Sequence, residues 1–79
     1  MGRSLYSQKR ERFRDLLKQV RIEAGLTQVE LSKKLKRPQS YVSDYERGQR
    51  KLDWVAVDEV LAICGLRVVE FAKRYESAR

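Results

Sequence analysis

Hydrophobic residues recur at every third or fourth position in several short segments of the chain, which is the spacing of amphipathic α-helices. In the first segment, Phe13, Leu16 and Val20 follow this spacing among charged neighbours. Gly25 then stands where a glycine commonly ends a helix, because glycine adopts a left-handed backbone without a steric penalty. The pattern predicts a first helix over residues 8–24.

The second segment begins with a capping box. Thr27 occupies the N-cap position and Glu30 lies three residues later, so that each side chain can bind the other's backbone N–H. This predicts a second helix over residues 28–35. A helix this short is stable only when it packs against the rest of a domain.

A third helix is predicted over residues 38–46. Pro38 suits the first helical position, since its ring fixes a helical φ and its missing N–H needs no partner there. Gly48 provides the stop. The connection between the second and third helices is then the two-residue turn Lys36–Arg37.

Two more helices complete an all-α domain. Asp53 can cap a fourth helix over residues 54–64, which Gly65 ends, and a last helix follows over residues 68–77. The residues that we expect in the core are Phe13, Leu16, Leu17, Val20, Leu31, Leu35, Val42, Val57, Val60, Leu61 and Cys64.

The length of 79 residues allows one domain, and we expect a single unit over residues 1–79. Residues 1–6 show no hydrophobic period and are predicted to form a flexible arm. One Cys excludes an internal disulfide, and the absence of His leaves no zinc-finger set. Since no apolar run approaches the ~18 residues of a membrane span and no signal-peptide core is visible, we expect a cytoplasmic chain.

Positive charge is concentrated in the first two thirds of the chain. Residues 1–26 and residues 27–52 each contain seven Lys or Arg and three Asp or Glu, whereas residues 53–79 contain four and five. The net charge of +7 and its distribution suit a polyanionic partner for the basic part.

The order of the predicted elements indicates that the polyanionic partner is double-stranded DNA. A short capped helix, a tight turn and a second short helix followed by a basic loop form the layout of a helix-turn-helix. In that motif the second helix enters the major groove, which is about 12 Å wide, while the first lies across the backbone.

Residues 21–52 also resemble a known family. The segment Ala-Gly-Leu-Thr-Gln from Ala24, and the segment Gln-Ser-Tyr-Val-Ser-Asp-Tyr-Glu-Arg-Gly-Gln-Arg from Gln39, are similar to the consensus of the Cro/phage-repressor (Xre-like) helix-turn-helix family. The resemblance implies a lambda-repressor-like domain of five helices over about residues 10–72. It is closest to small single-domain regulators of bacteria and their phages.

The same resemblance implies a role for each matching residue. It implies base readers on the third helix, phosphate contacts at the start of the second helix and in the loop after the third, and an ion pair between the first and third helices. The implied base readers are Gln39, Ser40 and Asp44, the implied phosphate contacts are Gln28, Arg47, Gln49, Arg50 and Lys51, and the implied structural salt bridge is Arg21–Glu46.

Two residues depart from the family pattern. Lys36 stands at a turn position often held by Gly, where a left-handed backbone would cost a lysine roughly 1 kcal/mol, so we expect the turn to differ slightly. Ser32 replaces the usual Ala between the two short helices and is small enough to fit there.

The chemistry of the third helix agrees with base reading. Gln39, Ser43 and Arg47 share one side at i, i+4 spacing, with Ser40 and Asp44 beside them, so Ser43 joins the predicted base readers. A Gln amide can pair with adenine through two hydrogen bonds, Ser can donate or accept, and Asp can accept from cytosine N4.

Some of these side chains have a second interpretation. Asp44 either reads a base or only pairs with a neighbouring cation of the same region. Tyr41 either packs against the turn or offers its hydroxyl to a phosphate. The arginines of the first helix that are either solvated or in contact with DNA are Arg10, Arg12 and Arg14.

We therefore expect a sequence-specific transcriptional regulator, a repressor that binds a near-palindromic operator as a homodimer. It is expected to need no cofactor and to be associated with the nucleoid in the cytoplasm. The apolar residues expected at the surface that forms the dimer are Trp54, Val68, Phe71 and Tyr75. Trp54 begins the fourth helix outside its apolar stripe, and it either caps the core or lies in this interface.

Three alternatives are weaker. An antitoxin-type interaction module would bind a toxin and regulate its own operon, although residues 66–79 are short for that interface. A peripheral membrane binder would use the apolar stripe of the basic first helix, which core packing explains more simply. An enzyme is disfavoured, because the sequence has no His, no metal-ligand set and no glycine-rich phosphate loop.

Overall fold

The computed structural model of the chain describes residues 4–77, which form five helices and no strand. The five-helix, all-α fold predicted from the sequence is confirmed. No helix in this described part is both long enough and apolar enough to cross a membrane. The helices are α1 (Leu5–Glu23), α2 (Gln28–Lys34), α3 (Tyr41–Glu46), α4 (Trp54–Cys64) and α5 (Val68–Ser77).

Helix α1 begins earlier than the sequence pattern predicts. The Ser4 hydroxyl accepts a hydrogen bond from the Ser7 N–H at 3.1 Å and caps a helix that starts at Leu5 instead of residue 8. Leu5 and Tyr6, which we predicted in a loose arm, are therefore helical. Residues 1–3 of that predicted arm lie outside the described residues.

Helix α3 begins later than predicted. The Tyr41 N–H donates to the Pro38 carbonyl at 2.9 Å, which closes a tight i→i+3 turn ahead of the helix. The connection from α2 therefore spans residues 35–40 instead of two residues, and Gln39 and Ser40 lie in this connection and not in α3. Only the carbonyl of Pro38 takes part in the turn, so a proline fits there as well as at a helix start.

The chain leaves α2 through a lysine with a left-handed backbone. Lys36 has a φ of 57°, its N–H donates to the Lys33 carbonyl at 2.9 Å, and the Arg37 N–H donates to the Ser32 carbonyl at 3.0 Å. These two bonds form a Schellman motif, in which glycine normally follows the helix. The turn thus adopts the backbone that a glycine would adopt, and our expectation that Lys36 alters it was wrong.

The core forms where α1 packs against α3, α4 and α5, and where α2 packs against α3 and α4. Most of the predicted core residues are buried, but Phe13, Leu35 and Cys64 are only half-buried. Burial also raises the pKa of the Cys64 thiol. The buried apolar side chains are Leu16, Leu17, Val20, Leu31, Tyr41, Val42, Tyr45, Val57, Val60, Leu61 and Phe71.

Helix α5 is fastened to α1 by an aromatic contact and an ion pair. Phe71 meets Phe13 edge to face, with ring centroids 5.9 Å apart. Arg74 Nη1 donates to Glu23 Oε1 at 2.8 Å. Because Phe71 is only 6% exposed, it belongs to the core, and our expectation that its side chain is exposed was wrong.

Candidate nucleic-acid interface

Helix α3 is held from behind by a buried ion pair. Arg21 Nε donates to Glu46 Oε2 at 2.8 Å, and Arg21 Nη2 donates to Glu46 Oε1 at 3.2 Å. The two side chains are only 9% and 4% exposed. Arg21 Nη1 also donates to the Leu26 carbonyl at 2.8 Å. The ion pair implied by the family resemblance therefore forms, and it ties the last turn of α3 to α1.

The start of α2 joins the same network. Gln28 Nε2 donates to Glu46 Oε1 at 2.9 Å, so the Glu46 carboxylate accepts three side-chain hydrogen bonds. We predicted the Gln28 side chain at a phosphate. One of its two amide hydrogens binds Glu46, and the second amide hydrogen and the carbonyl oxygen lie outside this network. Beside it, the Thr27 N–H donates to the Glu30 carboxylate at 2.8 Å and lowers the pKa of Glu30.

A buried hydroxyl connects α2 to α3. Ser32 is fully buried, and its Oγ accepts a hydrogen bond from the Val42 N–H at 3.2 Å. The N-cap residue of α3, Ser40, makes no capping hydrogen bond with its own side chain. Ser32 therefore supplies from a neighbouring helix an acceptor for the first turn of α3, which an alanine could not do.

The four predicted base readers lie together on the outward side of α3 and the turn before it. Gln39 and Ser40 are exposed, while Ser43 and Asp44 are half-buried. Ser43 Oγ donates to the Ser40 carbonyl at 3.0 Å. Asp44 Oδ1 accepts from Arg47 Nη2 at 2.8 Å. Asp44 therefore pairs with a neighbouring cation, as the second interpretation of this residue expects.

A cluster of cations from the loop after α3 and from the turn before it lies around an aromatic ring. Arg50 Cζ lies 5.1 Å from the centroid of the Tyr41 ring, and Arg37 Cζ lies 5.6 Å from it. Tyr41 is only 7% exposed and packs edge to face against Tyr45, so the ring itself packs against the turn. The predicted phosphate contacts Arg47, Gln49, Arg50 and Lys51 are all exposed.

Arg37 is a residue of this cluster that the sequence did not indicate. Its guanidinium lies 3.6 Å from a Glu59 carboxylate oxygen and is 44% exposed. Together with Tyr41, Arg50 and Lys51, it lines a cleft of about 390 Å³. No local pattern around Pro38 shows that the preceding residue approaches Tyr41, because that contact depends on the path of the turn.

Beneath the cluster, the Tyr45 side chain is almost fully buried, and its hydroxyl has no hydrogen-bond partner among the described residues. Burial raises the pKa of Tyr45, and the adjacent Glu46 carboxylate raises it further. The phenol therefore remains neutral at physiological pH, and the charges of this region are those of the exposed loop and of the Arg21–Glu46 pair.

An apolar groove of about 410 Å³ lies between α1, the start of α4 and α5. Trp54 is 68% exposed in it, so this ring does not cap the core. The neighbouring Val55 is 66% exposed, which the sequence pattern did not reveal. All four residues predicted at a dimer surface line the groove, namely Trp54, Val68, Phe71 and Tyr75, although only Trp54 is largely exposed.

In this geometry the short helix α3 packs against the short helix α2. Polar side chains of α3 face outward, and cations follow in the next loop. A family model described as a helix-turn-helix domain matches residues 12–73, which is most of the chain. No curated protein and no solved structure matches significantly. The match agrees with the resemblance to the Cro/phage-repressor group, and the chain belongs to the helix-turn-helix domain family.

Proposed function

We propose that this protein is a sequence-specific transcriptional regulator that inserts α3 into the major groove of DNA. The observation that carries the proposal is the row of Gln39, Ser40, Ser43 and Asp44 on the outward side of α3 and the turn before it. This row adjoins an exposed cationic loop, and the Arg21–Glu46 pair fixes the helix from behind. A rigid reading element with a basic border is what base-specific binding requires.

The base readers divide by chemistry. Gln39 has an exposed amide that suits adenine, and the exposed Ser40 hydroxyl can donate or accept. Ser43 donates to the Ser40 carbonyl and keeps lone pairs that can accept from a base. Asp44 would accept from cytosine N4 while it holds Arg47 in place.

The phosphate contacts surround this row. Arg47, Arg50 and Lys51 bring three positive charges to the end of α3, and Gln49 lies among them. Gln28 keeps one amide hydrogen for a phosphate at the start of α2, and Tyr41 supports Arg50 with its ring and offers its hydroxyl. Contacts of this kind set the register of the protein on the duplex without reading sequence.

The proposed regulator acts as a homodimer through the apolar groove around Trp54. A two-fold dimer that binds a near-palindromic operator must place its two reading helices about 34 Å apart, which is one turn of DNA. Occupying the operator would exclude polymerase, so repression is the expected outcome. A dimer with ~6–10 phosphate contacts would lose on the order of 10³–10⁵ in affinity between 50 and 200 mM salt.

The test is a binding-site selection from random duplex DNA at about 150 mM salt. It compares the natural protein with the double variant Gln39→Ala/Ser40→Ala and with Gln19→Ala, which removes an exposed glutamine from α1. We expect a near-palindromic site with half-sites one turn apart for the natural protein and for Gln19→Ala. The double variant should lose the preference at the bases that it reads.

Two results would count against the proposal. Capture of DNA without any consensus, equal in all three proteins, would leave only nonspecific coating of DNA. No retention of DNA at all would remove DNA binding and favour a protein partner.

The second candidate is an antitoxin-type module, and the observation that favours it is the exposure of Trp54 and Val55 on α4. In a homodimer built on the groove, Trp54 should be shielded, and Trp54→Ala should shift the protein to monomers in light scattering. If the natural protein is already a monomer, and acrylamide quenches Trp54 fluorescence as it quenches a free indole, the homodimer is excluded. The exposed surface would then be available to a different partner, such as a toxin.

A further inference from the structure

Three arginines from distant parts of the chain converge on one small cleft. Arg10 and Arg14 lie one turn apart on α1, and Arg50 comes from the loop after α3. The cleft has a volume of about 20 Å³, little more than one water molecule requires. A site of this size admits a single oxygen atom at its mouth and excludes a nucleotide or a drug-sized ligand.

Within residues 4–77, no carboxylate forms an ion pair with Arg10, Arg14 or Arg50. The arginines with an ion pair among residues 4–77 are Arg21, Arg37, Arg47 and Arg74. Arg10 instead faces the ring of Tyr6 at 5.7 Å, and Arg50 faces the ring of Tyr41 at 5.1 Å. Because Arg10 and Arg14 are half-buried, their charges are less screened by water than those of an exposed loop. Such a group of like charges favours an anion between them.

The cleft lies beside the proposed reading helix. The Arg14 guanidinium rests on Gly48, the residue that ends α3 with a φ of 84°. A Cβ at that position would lie 3.0 Å from Arg14 Cζ, so any larger residue would displace the guanidinium by a few tenths of an ångström. The contact brings α1 against the loop that carries the proposed phosphate contacts Gln49, Arg50 and Lys51.

We propose that Arg10 and Arg14, together with Arg50, form a site for one phosphate of the DNA backbone. A guanidinium presents parallel N–H donors that match phosphate oxygens, and three arginines line this oxygen-sized cleft. The proposal rests on the proposed DNA-binding function and deepens it. It assigns α1 a direct part in binding, with contacts that position the duplex and do not read its sequence.

The experiment measures fluorescence anisotropy of a labelled duplex over about 50–200 mM salt, with the selected site and with a scrambled duplex. The variant is Arg14→Gln, and the matched control is Arg67→Gln, which removes the same charge from an exposed arginine that lines a different cleft. We expect Arg14→Gln to weaken binding to both duplexes about tenfold at fixed salt. The slope of log K against log salt should fall by about 1 for each bound protomer.

The control should change the affinity much less and leave the slope within error. A second variant, Arg14→Lys, keeps the charge but loses the planar fork of donors, so we expect weaker binding with an unchanged slope. Thermal unfolding of each variant checks that α1 and α3 remain packed. If Arg14→Gln does not fold, Arg14→Lys against the natural protein still tests the site through its affinity.

The outcomes separate the two proposals. Equal losses in Arg14→Gln and Arg67→Gln, or an unchanged slope in Arg14→Gln, would overturn the phosphate site even if the selected duplex is still preferred. Equal affinity of the natural protein for the selected and scrambled duplexes would overturn sequence-specific regulation. In that case a lower slope in Arg14→Gln alone would still support the phosphate site.

Discussion

The two sides of α3 carry ion pairs of equal length in different surroundings. On the inward side, Arg21 and Glu46 approach to 2.8 Å with side chains only 9% and 4% exposed. On the outward side, Arg47 and Asp44 also approach to 2.8 Å, but their side chains are 62% and 27% exposed. The distance is the same, whereas the access of water is not.

This difference shows how a six-residue helix can be held in one position and still bind a ligand with its outward side. Water cannot replace the partner of Glu46, because three protein donors surround its carboxylate in the interior. Water and salt can replace the partner of Asp44, and such exposed pairs contribute little to stability. The inward side therefore determines where α3 lies, and the outward side can exchange its partners for those of a ligand.

The largest expected effect comes from breaking the inward pair. Glu46→Ala leaves the Arg21 guanidinium buried without a carboxylate, and we expect a loss of about 3–5 kcal/mol in the free energy of unfolding. Urea denaturation followed by circular dichroism measures it. A loss below about 1 kcal/mol would show that water reaches this pair as it reaches Asp44.

The control for that variant is the double change Arg21→Met/Glu46→Leu. It removes both charges and fills the space with apolar side chains, so it should be considerably more stable than Glu46→Ala. If the double variant is the less stable of the two, the cost of Glu46→Ala comes from packing and not from an uncompensated charge.

The second effect concerns the hydroxyl behind the first turn of α3. Ser32→Ala leaves the Val42 N–H without its acceptor in a buried position, and we expect a loss of about 1–3 kcal/mol. Ser43→Ala is the matched control, because its hydroxyl donates to the Ser40 carbonyl at a half-buried position that water reaches. Equal stability of the two variants in urea would mean that Ser32 only fills space.

The third effect is a gain. Lys36→Gly should raise the free energy of unfolding by about 0.5–1 kcal/mol, because glycine takes the φ of 57° without the steric cost that a lysine side chain carries. Gly25→Ala is the reverse experiment at the end of α1. An alanine Cβ there meets nothing within 4 Å, so the expected loss of similar size comes from backbone strain alone. A destabilised Lys36→Gly would indicate that the lysine charge, and not the backbone, matters in this turn.

Local signals predicted the elements whose ends are determined locally. Helix α4 has the predicted bounds, because Asp53 caps its start and Gly65 ends it. Helix α5 also has the bounds predicted, Val68–Ser77. The start of α3 was missed, because the i→i+3 bond from Tyr41 to Pro38 forms a turn that the sequence does not distinguish from a first helical turn.

The sequence predicted those site residues whose chemistry can be recognised one by one, and those that match the pattern of a family. The Arg21–Glu46 pair came from the family resemblance, since no local pattern links residues on different helices. Arg37 was not among the predicted site residues, and Arg14 was left open between solvent and DNA, because their approach to Tyr41 and to Gly48 arises only when the turns bring distant segments together.

The smallest effect on stability, and the sharpest test of the outward side, is Asp44→Ala. We expect a change of about 0.5 kcal/mol in the free energy of unfolding, since the lost pair with Arg47 is exposed. Binding to the selected duplex and to duplexes changed at single base pairs then separates the two interpretations of Asp44. If the carboxylate reads cytosine, the variant loses discrimination of about 1–3 kcal/mol at one position and keeps the others. If Asp44 only holds Arg47, discrimination is unchanged and affinity rises on every duplex, because a negative charge has left the interface and Arg47 is released to a phosphate.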